Sequence, residues 1–235
     1  MLDSQGKKAT VRQMFNDISE RYDLLNHLLS FGIDQRWRKK LVKRLALLHP
    51  GEVLDVATGT GDLALAVAKV TKARITGTDI AEKMLEIASR KISDRGMAER
   101  IRFVHADGES LPFEDHSFDA VTIAFGIRNF ENPLAGLHEF YRVLKPGGQV
   151  FILEFSMPES RLIRWLYTLY FGRILPKIGR WISKHPQAYT YLPDSVEAFP
   201  YGDRFCRMMQ EASFQVTESK SLSGGIAMLY TGVKA

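Results

Sequence analysis

The sequence predicts a doubly wound α/β fold: a mainly parallel, seven-stranded sheet with helices on both faces and a strand pair closing one edge. Three observations predict it. Short, nearly continuous apolar segments recur between stretches of helical period, as strands buried on both faces require. The first such segment breaks into a glycine-rich turn that opens directly into a helix. The chain ends on two β-rich segments with no helical pattern between them. The 235 residues, 45% hydrophobic and 25% charged, are ordinary globular usage and enough for one sizeable core.

Residues 1–50 read as an N-terminal helical cap on a single domain. Residues 51–156 carry the repeating pattern. Glu52 to Ala57 is a β-branched run that yields to Thr58-Gly59-Thr60-Gly61-Asp62 and then to LALAVAKV at helical spacing. Residues 73–79 form the second strand, followed by a helical AEKMLEIASRKI, and residues 100–107 form the third. Residues 118–125 are the fourth, followed by a helix expected to end at Lys145-Pro146-Gly147-Gly148, and residues 148–155 are the fifth. Residues 157–201 form a helical insertion that holds five of the nine prolines, and residues 202–235 contain the closing strand pair.

Composition excludes several classes of function. A lone cysteine, Cys206, permits no intramolecular disulfide and no cysteine metal cluster, and six histidines show no ligand spacing, so no metal is expected. His138 reads as a structural residue of the helix after strand four. The longest uncharged stretch, Ser221 to Val233, is too short to span a bilayer, and no export signal is visible, so a cytoplasmic protein is expected. The net charge of +5 is mild but unevenly placed: residues 35–44 and 161–184 each carry six basic groups and no acid. No aromatic-rich binding motif accompanies these charges, which argues against nucleic acid.

The chemistry centres on Asp55-Val-Ala-Thr-Gly-Thr-Gly-Asp62, in which Ala64 completes a G-x-G-x-x-A spacing. Glycines permit a tight turn and a close ligand approach, and the following helix offers unpaired N–H groups. By itself such a turn also occurs with no ligand at all. Two acids shift the balance. Asp79 ends the second strand twenty residues past Gly59, where a carboxylate can accept both hydroxyls of a ribose. Asp107, beside Gly108, ends the third and can hydrogen-bond an adenine amino group. An adenosine ligand accounts for all three strand ends. A nicotinamide dinucleotide would place its pyrophosphate on this turn, where Asp55 and Asp62 would repel it; a ligand with an ammonium and a sulfonium suits them better, which points to S-adenosylmethionine (SAM).

The arrangement resembles the class I SAM-dependent methyltransferases, a Rossmann-like fold. Two longer blocks resemble, more narrowly, the ubiquinone/menaquinone biosynthesis C-methyltransferases. One runs from Tyr22-Asp23 through Asn26, Ser30, Gly32 and Asp34 to Trp37, and the other from Arg142 to Ser156. The first departs from the family at Leu25, commonly Met, and at Asp34, commonly His, so no role of that His carries over. Phe125-Gly126-Ile-Arg128-Asn129 matches the strand-four motif, and Tyr189, Tyr191, Leu192 and Ser195 match a late substrate-side motif.

The resemblance implies methylation of the ring of a polyprenylated quinol, demethylmenaquinol or a related benzoquinol, with SAM as donor and S-adenosylhomocysteine as product. It places Thr60 and Gly61, within a cofactor set that includes Asp55, Thr58 and Gly59, at the methionine end. It places Asp79 at the ribose, Asp107 and Gly108 at the adenine, and Ala124 under the ligand, with Ile80 also in the cofactor set. Arg128 and Asn129 become acceptor contacts, with Asp62, Arg128 and Asn129 organising proton loss and Tyr22, Tyr189 and Tyr191 on the substrate side. A plainer reading has Asn129 capping the helix that starts near Pro133 and Arg128 paired with a surface acid. Other readings are a methyltransferase of a different lipid, or a silent SAM- or quinone-binding subunit. Arg173, Lys177, Arg180 and Lys184 fall on one stripe of a helical pattern, opposite Ile174, Ile178 and Trp181. Such a helix suits an anionic membrane surface or a lid over the site, and QRWRKKLVKR with Trp37 shares both readings. Peripheral attachment to the inner face of the membrane is therefore expected, and a homodimer is compatible with the sequence.

Overall fold

The computed structural model describes residues 6–30, 32–169 and 187–235. Two helices, α1 (Gly6–Leu29) and α2 (Ile33–Ala46), lead into an alternation of β1 (Glu52–Val56), α3 (Asp62–Val70), β2 (Arg74–Asp79), α4 (Glu82–Ser93), β3 (Ile101–His105) and β4 (Phe118–Ala124). Then come α5 (Pro133–Val143), β5 (Leu144–Phe155), α6 (Arg161–Leu169), α7 (Gln187–Ala198), α8 (Asp203–Glu211), β6 (Gln215–Leu222) and β7 (Ala227–Val233).

The strands form one sheet in the order β3-β2-β1-β4-β5-β7-β6. Strands β1 to β5 pair in parallel; β7 runs antiparallel to both β5 and β6, so Val233 faces Gln149 on one side and Gln215 on the other. The central strands are buried along nearly their whole length, whereas the edge strand β6 alternates exposed and half-buried positions. The order reverses between β1 and β4, and a doubly wound sheet opens its crevice at the carboxyl ends of the strands there.

Both faces are packed. On one, Trp37, Leu41 and Leu45 of α2 and Leu63 and Val67 of α3 cover Ile75, Phe151 and Leu229. On the other, Leu137 and Phe140 of α5 and Phe205 and Met209 of α8 cover Leu54, Ile123 and Tyr230. Each large apolar side chain removed from water in this way contributes roughly 1.5–3 kcal/mol. Trp37 is 4% exposed and its indole N–H donates to Ser223 Oγ at 2.9 Å, which rules it out as an interfacial residue. The apolar stripe of α2 is spent on the core, and only its basic stripe meets water.

Two boundaries differ from the sequence expectation. Helix α5 stops at Val143 rather than running to Lys145–Gly148, because the residue before Pro146 is driven out of the helical region and Leu144 is already extended. Leu144 pairs with Phe118 as the first residue of β5, and the register then slips before Ala120 meets Gln149. At the other end the cap is Asn132, whose side chain accepts from Ala135 N at 3.1 Å ahead of Pro133. Asn129 is therefore not the cap.

Candidate active site

The three acids meet at neighbouring strand ends, as β3, β2 and β1 are adjacent in the sheet. Asp79 Oδ2 accepts from Gly59 N at 2.9 Å and Oδ1 from Ala81 N at 2.9 Å, so the carboxylate pins the glycine turn, and burial pushes its carboxyl up from the usual range. Asp107 Oδ1 accepts from Glu109 N at 2.9 Å, and Oδ2 is ion-paired with Lys8 of α1. Asp55 is almost wholly buried. It accepts from the hydroxyls of Thr58 at 2.6 Å and Thr122 at 2.7 Å, and loss of hydration pushes its carboxyl up to about 6 against the pull of those bonds.

Asp79 and Asp107 border a cavity at the carboxyl edge of the sheet. Asp79, Ile80, Asp107, Gly108, Asn129 and Ala124 line it. Gly108 is glycine because a Cβ there would lie 2.4 Å from the Phe130 ring that forms the adjoining wall. A second hollow holds Asp55, Thr58, Thr60 and Asp62 together with Arg38, and shares Tyr22, Ala57, Gly59 and Ala124 with the first. Gly61 lines neither; at φ 80° it turns the chain into α3. Ala57 at φ 50° and Phe125 at φ 61°, the residues just past β1 and β4, hold left-handed backbone without being glycine, a strain that persists only where surrounding contacts impose it.

On the far side of the switch point, Asn129 faces the cavity and its Oδ1 accepts from Tyr191 Oη of α7 at 3.1 Å. Burial pushes the Tyr191 phenol up. Arg128 sits behind this wall. Its guanidinium donates to Glu154 Oε1 at 2.8 Å, to the Phe125 carbonyl and to Ser195 Oγ at 3.3 Å, and lies 5.3 Å from the centre of the Phe155 ring. Its partner acid is thus a buried one, not a surface one. Asp62 is bonded to Lys91 Nζ at 2.9 Å, and Lys91 also holds Asp23 at 2.6 Å. The side chain of Tyr189 and the segment with Arg173, Lys177, Arg180, Trp181 and Lys184 lie outside the described residues.

Helix α1 closes the cavity. Lys8, Val11, Phe15 and Tyr22 supply one wall. The helix is tied down by Arg12 to Glu82, by Asn16 to Glu82 at 3.2 Å, by Thr60 to Asp23, and by Lys7 to the carbonyls of Arg128, at 3.1 Å, and Phe130.

Comparison with known proteins identifies the architecture. The model of the ubiE/COQ5 methyltransferase family matches residues 2–234. The chain belongs to the ubiE/COQ5 methyltransferase family. A Geobacter sulfurreducens protein named ubiquinone/menaquinone biosynthesis C-methyltransferase UbiE is 48% identical over 230 residues, 97% of this chain and 90% of that one. A Bacteroides fragilis demethylmenaquinone methyltransferase is 42% identical over 233 residues, 98% and 95% of the two chains. Among solved structures, a SAM-dependent methyltransferase from Aquifex aeolicus superposes with TM-score 0.58 at 20% identity over 79% of this chain and 82% of that one. The [4+2]-cyclase SpnF reaches 0.72 at 19% identity over 97% and 96%. The fold is that of class I SAM-dependent methyltransferases; that a cyclase shares it shows why the chemistry has to be argued from the site.

The site of this methyltransferase fits SAM. Carboxylates stand at two successive strand ends of one lobe, the glycine turn separates the lobes, and the second lobe carries both acids and a cation, matching a nucleoside joined to a zwitterionic amino acid. Among the described residues no group of three or more His, Cys, Asp or Glu could hold a metal, and no helix is long and apolar enough to cross a membrane. Sequence reasoning missed Lys8, Phe15, Phe130, Lys91 and Glu154. Of these only Glu154 lay in a motif, and its signal was a charged residue in an otherwise apolar strand.

Proposed function

We propose that this enzyme transfers the methyl group of SAM to a ring carbon of a reduced, polyprenylated quinol, converting demethylmenaquinol to menaquinol, with a related benzoquinol as a second acceptor class. The carrying observation is the contact between Asn129 and Tyr191. Two motifs 62 residues apart meet at the wall of the cofactor cavity, where an acceptor would approach. The names of the relatives, shared at 42–48% identity over nearly the whole chain, support the same acceptor.

In this reading Asp79 and Ile80 border the ribose, Asp107 and Gly108 the adenine, Thr58 to Gly61 and Asp55 the methionine end, and Ala124 lies beneath. SAM supplies a methyl group already activated by its sulfonium. The chain supplies orientation and exclusion of water, which can account for most of the acceleration when no covalent help is needed. Phe125, Phe130 and Tyr22 form the apolar wall around the transfer point. Asn129 and Tyr191 orient the quinol hydroxyl whose proton must leave for the neighbouring carbon to act as nucleophile. Arg128 acts through its neighbours, joining the end of β4 to Glu154 of β5 and Ser195 of α7, and so fixing Asn129 and Tyr191 relative to each other.

A lipid acceptor brings the enzyme to a membrane surface, and α6 presents an exposed apolar pair suited to one. Leu162 and Trp165, three residues apart on the insertion, are 67% and 61% exposed, beside the exposed Arg161 and Arg164. We assign this face to peripheral contact with an anionic bilayer. Incubating the protein with labelled SAM and total quinone extract, then identifying the labelled lipid, tests the whole reading. A labelled menaquinol supports it, and label in a sterol or phosphatidyl amine transfers the enzyme to another acceptor class.

A further inference from the structure

Adenosine is accounted for by the first lobe, which leaves the amino-acid end of SAM, with one ammonium and one carboxylate, for the second. That hollow is bordered by Asp55 and Asp62, and a carboxylate entering between them would be repelled unless a cation met it. Among the described residues the lining holds one, Arg38 of α2. Its side chain is only 13% exposed, its guanidinium lies 5.5 Å from the centre of the Phe125 ring, and one N–H is paired with Asp34, a turn earlier in the helix. Asp34 is itself buried and held by Ser30 Oγ at 2.6 Å, so the guanidinium is fixed from behind. Asp34 is its one hydrogen-bond partner among the described residues, and a guanidinium carries five N–H donors in a planar fork that matches a carboxylate. Lys91, the other cation nearby, binds Asp62 but does not line the hollow.

We propose that Arg38 binds the α-carboxylate of the methionine moiety of SAM, while the acids of the same hollow face its ammonium. The assignment rests on SAM as donor. It makes α2, rather than the glycine turn alone, the element that tells SAM from adenosyl ligands without a carboxylate. Asp34 is then a positioning residue, orienting the fork and offsetting its charge before the ligand arrives.

Calorimetric binding of SAM, of decarboxylated SAM and of 5′-methylthioadenosine to wild type and to Arg38→Gln tests this directly. Loss of one charge-assisted, bidentate contact should weaken SAM about 10- to 100-fold. The affinities for decarboxylated SAM and methylthioadenosine should stay within about twofold, since neither carries the group Arg38 holds. Arg38→Lys should fall between wild type and Arg38→Gln for SAM. Because Arg38→Gln takes the cation away from the buried Asp34 carboxylate, the double variant Arg38→Gln/Asp34→Asn carries the same comparison with the internal charge removed. Equal weakening of all three ligands would make Arg38 a structural residue, and unchanged SAM affinity would remove it from the donor site; either overturns the proposal. A wild-type chain that binds none of the three would overturn the donor itself, an outcome distinct from both.

Discussion

The guanidinium of Arg128, in the short turn past β4, and the carboxylate of Glu154, near the end of β5, form an ion pair at 2.8 Å, 7% and 1% exposed, behind the cavity wall that carries Asn129. Arg128 N also donates to Glu154 Oε2 at 3.3 Å. Charges this deep are stable only in company, and removing one partner strands the other. Glu154→Ala should therefore cost about 3–5 kcal/mol in urea denaturation, whereas Arg128→Met/Glu154→Leu, which removes both charges, should recover most of that loss yet remain poor in turnover. A Glu154→Ala chain as stable as wild type would contradict the clamp.

Asp55 gives a pH dependence whose sign follows from its surroundings. Its carboxyl is pushed from 3.8 to about 6, chiefly by burial, so the folded chain holds this proton more tightly than the unfolded chain does. The group's contribution is most favourable below 3.8, declines as pH rises through the interval to about 6, and stays at its least favourable above it. Asp55→Asn, which cannot ionise, should melt higher than the ligand-free wild type well above pH 6, by at most ~3 kcal/mol, and the difference should shrink as pH falls toward 4. A gap that is constant or widens on acidification would show that Asp55 is ionised throughout.

Turnover should separate the two sides of the cavity. Asn129→Ala and Tyr191→Phe should lower kcat by roughly 10- to 100-fold through lost orientation of the acceptor, while calorimetric SAM affinity changes by less than about threefold. Asp79→Ala should do the reverse, weakening SAM by about 1–3 kcal/mol. If Asn129→Ala loses SAM affinity and turnover equally, its place is on the donor side.

Much of this was legible in the sequence, for identifiable reasons. Strands buried on both faces leave long apolar runs, and Asp79 and Asp107 stand out because a carboxylate ending such a run needs a partner. Contacts set by closure of the chain leave no such trace. Lys7 reaches the Arg128 carbonyl across 121 positions, and nothing in GKKATVRQ announces it. Arg38 reads as one of six basic residues on a helix until packing turns it inward, and Asp34, a departure from the family's block, gains its meaning only as Arg38's partner. The left-handed backbone at Ala57 and Phe125 is equally hidden, since neither residue type favours it.

The exposed face of α6 predicts membrane contact with a particular balance of forces. Apolar side chains inserted at an interface contribute independently of salt, and each basic residue near an anionic surface contributes about 1 kcal/mol that salt screens. Co-sedimentation with anionic vesicles should fall when Leu162 and Trp165 become Ser, and should fall with added salt when Arg161 and Arg164 are intact. Equal sedimentation of the Ser variant and wild type would place the contact elsewhere.

The central claim is carbon methylation of a reduced quinol, and single-turnover transfer from methyl-labelled SAM to purified demethylmenaquinol measures it most directly. With the acceptor kept reduced, the label should appear on the ring carbon and survive reoxidation to menaquinone, and the oxidised quinone should accept none. Label on a quinol oxygen, or transfer that does not depend on the redox state of the acceptor, would contradict the account.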